Sequence, residues 1–130
     1  QSADVHTPSL NQAIVNEFVT RGLLKPQIEK ACAVYRTQMH TMLEELKKIQ
    51  AIEYHTTPEG GLFIFAAIAE GKDVGPLFQK AVANNVAFVP GEPFYPEGGH
   101  KNTLRLNFSN ADVDTIRKGM SILRSCFDEN

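Results

Sequence analysis

In the run Asn102-Thr103-Leu104-Arg105-Leu106-Asn107-Phe108, polar and apolar residues alternate from Thr103 to Phe108. Side chains along an extended strand point to opposite faces in turn, so Leu104, Leu106 and Phe108 share one face while Thr103, Arg105 and Asn107 share the other. A strand is predicted here, with one side in a core and an arginine on the other. From alternation alone, Arg105 fits a solvated surface charge as well as it fits a functional cation.

Upstream of that strand, Pro90 to Asn102 holds three prolines and three glycines, which predicts an ordered irregular loop. Val86 to Val89 reads as the third strand, preceded by a helix capped at Asp73, running through Leu77, Phe78, Ala81 and Val82 and ending near Asn84-Asn85. Ile52 to His55 and the almost wholly apolar Leu62 to Ala69 suit a hairpin across Pro58-Glu59-Gly60-Gly61. Downstream, Ser109 and Asp112 resemble a capping box ahead of a terminal helix striped by Val113, Ile116, Met120, Leu123 and Phe127.

Two helices open the chain. Thr7-Pro8 reads as a cap followed by proline in the first turn, and Leu10, Ile14, Phe18 and Val19 recur on one face as far as Arg21-Gly22. From Lys25-Pro26, the residues Ile28, Cys32, Tyr35, Met39, Met42, Leu43 and Leu46 keep helical spacing to about Gln50. That helix is roughly 35 Å long at 1.5 Å per residue, long for a domain of this size, so it is expected to run along an edge or to bridge two bodies. The order ααββαββα predicts an α+β sandwich, a small mixed or antiparallel sheet with helices packed on one face and a long helix before it.

Composition narrows the function classes. The 130 residues are 42% hydrophobic and 22% charged with a formal net charge of −2, which gives no electrostatic case for nucleic acid or anionic membrane as partner. Cys32 and Cys126 stand far apart and read as small reduced core residues, and His6, His40, His55 and His100 lack metal-ligand spacing. No stretch approaches the ~20 apolar residues of a membrane span, which fits a cytoplasmic location. A first residue of Gln1 rather than methionine suggests that something upstream has been removed.

Pro58-Glu-Gly-Gly-Leu-Phe63, Val86-Ala-Phe-Val-Pro-Gly91 and Asn102-Thr-Leu-Arg-Leu-Asn-Phe108, in this order and spacing, resemble the C-terminal signature of class I/II, fold-type I aminotransferases. The subgroup with 2-aminoadipate and kynurenine aminotransferases, and with the aminotransferase-like halves of certain bacterial transcription regulators, is the most similar. There a segment like His6 to Gln12 precedes the long helix. The likeness covers nearly all of the chain and implies the fold of the family's small C-terminal domain for residues 25–130, with residues 1–24 a remnant of the large domain and linker.

The resemblance implies roles residue by residue. Arg105 matches the arginine that grips the substrate carboxylate, Gly61 and Phe63 fall where the family's substrate cleft is lined, and Asn11 and Gln12 resemble a segment near the cofactor and dimer interface. Lys101 matches a basic residue common before Asn-Thr-Leu-Arg. The family's cofactor is pyridoxal 5'-phosphate, but its Schiff-base lysine in a Ser-x-Ser-Lys context, its aspartate facing the pyridine nitrogen and its stacking aromatic residue have no counterpart motif here. The chain is therefore expected to be inactive alone, and its parent to be a homodimer converting amino acids and 2-oxo acids. The rival readings are the effector-binding part of a regulator, which would bring nucleic acid in as a partner, and a stand-alone amino-acid-binding module.

Overall fold

The computed structural model describes residues 7–128, which leaves His6 outside the described residues. The chain divides into two units, residues 1–34 and 35–130, and the division falls inside the second helix.

In the first unit, helix α1 (Ser9–Thr20) buries none of its residues, and its apolar stripe, with Leu10, Ile14 and Val15 all more than half exposed, has no cover. Pro8 stands at the cap position, one residue later than the Thr7 cap expected. Helix α2 (Leu24–Leu46) begins in this unit, where Cys32 is exposed, contrary to the core position expected for it.

The second unit holds the sheet. Strands β1 (Ile52–His55), β2 (Phe63–Ile68), β3 (Val89–Pro90) and β4 (Thr103–Asn107) lie in the order β1-β2-β4-β3, every pair antiparallel. Of the two sheet types expected, the antiparallel one forms: a hairpin joins β1 to β2, and β4 pairs antiparallel with both β2 and β3. Burial along β2 alternates strictly, with Ile64, Ala66 and Ile68 inside and Phe63, Phe65 and Ala67 half-buried.

The inner face packs against helices. Met42, Leu43 and Leu46 from the C-terminal half of α2, Ala81 from α3 (Gly75–Ala83) and Ile116, Met120, Leu123 and Phe127 from α4 (Val113–Asp128) form one core with Ile64, Leu104 and Leu106. Phe88 sits edge-on to both Phe78 and Phe127, with centroids 5.4 and 5.8 Å apart, an arrangement that satisfies the ring quadrupoles.

Element ends show what local chemistry decided. Helix α3 stops in a Schellman turn: Asn85 takes φ 61°, Val86 N–H donates to the Ala81 carbonyl at 3.0 Å and Asn85 N–H to Val82 at 2.9 Å. Asp73 Oδ1 accepts from Gly75 N–H at 2.7 Å, an Asx turn just ahead of the helix rather than the N-cap expected of it. Asp112 alone caps α4, accepting from Thr115 N–H at 2.8 Å, while Ser109 turns back to donate to Asn107 Oδ1. Its hydrogen bonds to Thr115 hold the Asp112 carboxyl below its ordinary value of 3.8.

The third strand is shorter than the Val86–Val89 expected and shifted along the chain: only Val89 and Pro90 pair with β4. Asn85 has turned the backbone away until Phe88, which dives into the core at 4% exposure. Pro90 has no N–H to give the ladder, which suits an edge position.

Candidate functional site

Arg105 lies in the middle of β4, directly across from Phe65 on β2 and from Val89 on β3. Cross-strand partners point to the same side, so the arginine leaves the sheet on the face opposite the core, between apolar neighbours. Leu104 and Leu106, 0% and 5% exposed, anchor its backbone on the other side. Of the chain's five arginines it alone is half-buried, the other four being exposed.

The guanidinium is held by rings. Its Cζ stands over the ring of Phe63 and over the ring of Phe94, 4.3 Å from each centroid. Phe63 pairs with Asn107 and so lies diagonally from Arg105, a separation that a long side chain spans. No ring contact joins Phe63 to Phe94, which places the cation between them. Among the described residues, Arg105 has neither a carboxylate partner nor a side-chain hydrogen bond. Five N–H donors in a fixed plane thus remain for an external acceptor.

Phe94 owes its place to the loop after β3. Gly91 N–H donates to the Thr103 carbonyl at 2.8 Å, and the approach is so close that a Cβ on Gly91 would stand 2.1 Å from Thr103 Oγ1. A 3-10 turn, Glu92–Phe94, follows. Tyr95 then stacks on His100 with ring centroids 4.0 Å apart, and Lys101 Nζ comes within 4.0 Å of Glu92 at the mouth of the loop. These ties fit the ordered irregular loop expected of this segment. They also bury Thr103 at 4% exposure although it shares the outer face with Arg105 and Asn107, so that face is not uniformly polar and wet.

The other sequence candidates are placed less tellingly. Gly61 adopts φ 80°, which explains a glycine there by backbone geometry, and a Cβ would meet nothing within 4 Å. Asn11 and Gln12 lie exposed on α1 in the first unit, where Gln12 Nε2 donates to the Thr7 carbonyl at 2.7 Å. Phe94 was not among the sequence candidates. The available signal was its aromatic character in a proline-rich loop, which says nothing of the strand it returns to.

The lysines are poorly placed for covalent chemistry. All but Lys80 are exposed, and Lys80 Nζ lies 3.4 Å from the Cys126 carbonyl. A nucleophilic lysine needs burial or a neighbouring cation to activate it, and an exposed side chain lacks that setting. Among the described residues no cluster of His, Cys, Asp or Glu is suited to a metal ion. No helix among them is long and apolar enough to cross a membrane.

The second unit thus carries a strand-borne arginine with uncommitted donors on the face of an antiparallel sheet opposite its core helices. No protein-family model matches the chain. Over 121 residues it is 39% identical to the 2-aminoadipate transaminase of Thermus thermophilus, covering 92% of this chain and 30% of that protein. Over 131 residues it is 37% identical to aromatic-amino-acid aminotransferase 1 of Thermococcus litoralis, covering 99% of this chain and 31% of that one. Among solved structures, the Thermus thermophilus α-aminoadipate aminotransferase, complexed with N-(5'-phosphopyridoxyl)-L-leucine, superposes with a TM-score of 0.89 at 37% identity over 99% of this chain and 33% of its own. The kynurenine aminotransferase of Pyrococcus horikoshii does so with a TM-score of 0.88 at 34% identity over 99% and 32%.

The chain belongs to the fold-type I, pyridoxal-phosphate-dependent aminotransferases. Within them it corresponds to the C-terminal part, and it spans about a third of the length of the relatives it matches.

Proposed function

We infer that this chain supplies the substrate-carboxylate grip of a pyridoxal-phosphate-dependent aminotransferase that moves an amino group between an amino acid and a 2-oxo acid. The carrying observation is Arg105: a half-buried guanidinium between two rings with its donors uncommitted. A carboxylate is the natural partner of that fork, because two parallel charge-assisted hydrogen bonds fix its orientation as well as its position. The aminotransferase names of the relatives favour the enzyme over the effector-binding part of a regulator.

The cofactor, when bound, provides the electron sink. No residue here fits the anchoring lysine, since all but one of the lysines are exposed. In this reading the remaining two thirds of the enzyme hold the cofactor, residues 1–24 go with the linker and large domain, and residues 25–130 are the small domain that presents Arg105. Gly61 and Phe63 line the substrate side of the site, and Asn11 and Gln12 lie toward the cofactor and the interface of a homodimer. The chain by itself is inactive, and its setting is cytoplasmic.

The test is Arg105→Ala in the full-length protein. Loss of charge-assisted hydrogen bonds worth about 1.5–3 kcal/mol raises KM for amino and 2-oxo acids about 10- to 100-fold, with the cofactor's absorbance unchanged. Unaltered substrate kinetics would reject the assignment.

A further inference from the structure

We propose that Phe94 is a positioning residue that, with Phe63, covers both faces of the Arg105 guanidinium and makes the site selective for planar carboxylates over tetrahedral oxyanions. The proposal rests on the carboxylate-gripping role of Arg105.

Guanidinium and carboxylate are both planar, and their two-point pairing is strongest when the planes coincide. An arginine with one bare face can also accept an anion from above, as a point charge would. Here Cζ lies 4.3 Å from the centroid of each ring; in this proposal the two rings take the faces of the guanidinium and leave its in-plane edge. A carboxylate approaching along that edge keeps its two oxygens between the rings. A phosphonate or sulfonate carries a third oxygen out of the plane, toward one ring or the other, where an anion meets the negative face of the quadrupole. The rings accept no hydrogen bonds from the fork, so they orient it without using the donors.

Phe94 is 54% exposed, so the core does not account for its position. It is held from behind by the backbone: Phe94 N–H donates to the Gly91 carbonyl at 2.9 Å, and Gly91 is itself bonded to Thr103, two residues from Arg105. Strand and turn therefore hold arginine and ring at one spacing. Arginine–aromatic stacking also suits the weak hydration of the guanidinium.

The experiment compares the full-length wild type with Phe94→Leu, Phe94→Tyr and Arg105→Ala. It uses the amino acid of highest kcat/KM for the wild type, and that amino acid's 1-aminophosphonate counterpart as competitor. Phe94→Leu is expected to raise KM about 3- to 30-fold, the range of a cation–π contact, with kcat little changed, and to shrink the preference for carboxylate over phosphonate. Phe94→Tyr, which keeps the ring, restores both. If Phe94→Leu leaves KM and the preference at wild-type values while Arg105→Ala raises KM as expected, the positioning role is wrong and the carboxylate grip stands. If Arg105→Ala is also without effect, the grip itself fails and this proposal with it.

Discussion

Gly91→Ala tests how tightly the Phe94 loop is tied to the arginine strand. The added Cβ would stand 2.1 Å from Thr103 Oγ1, 2.8 Å from Thr103 Cβ and 3.1 Å from the Thr103 carbonyl carbon. A change of the Thr103 rotamer moves only the first of these, and it gives up the hydrogen bond from Oγ1 to the His100 carbonyl at 2.7 Å. The other two belong to Cβ and backbone of a buried strand, so the loop must move instead, breaking the 2.8 Å bond from Gly91 N–H. Overpacking of this kind costs about 1–3 kcal/mol, which for a domain of roughly 100 residues lowers Tm by about 4–8 °C per kcal/mol. Thermal unfolding followed by circular dichroism reads the loss. Pairing it with Thr103→Ala should give a sum that is less than additive, because the 2.1 Å clash disappears while the 2.8 Å one remains. A Gly91→Ala variant as stable as the wild type would refute the close approach, and with it the account of how Phe94 is placed.

Two other predictions concern helix ends. Asp112→Ala should lower Tm near neutral pH, and the difference from wild type should fade in acid. The carboxyl is held below 3.8 by its bonds to Thr115, so its contribution is complete above that value and is lost as pH falls through the depressed folded value. A gap between the two melting curves that stays constant down to pH 2 would contradict it. Asn85 sits at φ 61° in the turn that ends α3, so Asn85→Gly should match or exceed wild-type stability while Asn85→Val costs about 1–2 kcal/mol. Equal denaturant midpoints for the two variants would remove the left-handed turn from the explanation.

Much of this domain was readable where one local rule acts alone. Alternation at 103–108 located β4 and put Arg105 opposite Leu104 and Leu106, because strand side chains alternate whatever lies beyond the strand. Helical spacing located α2 and α4, and the asparagines ended α3 as expected. The misjudged features involve choices between nearby local options or partners distant in the chain. Ser109 and Asp112 both carry capping oxygens, and only the path of the backbone out of β4 decided that Asp112 caps α4 while Ser109 turns to Asn107. Strand β3 shrank because Phe88 is drawn between Phe78 and Phe127, from two helices the local pattern at 86–89 does not mention.

The same division runs through the site. That an arginine stands mid-strand on the face away from the core was determined by the sequence alone, since its backbone register follows from the residues beside it. That its guanidinium lies between Phe63 and Phe94 was decided only in the folded chain. One ring comes from a neighbouring strand and the other from a loop that returns because Gly91, lacking a side chain, can rest against Thr103. A contact between residues 11 and 42 positions apart depends on how strands pair, and pairing is an energy of the whole sheet rather than of any stretch within it.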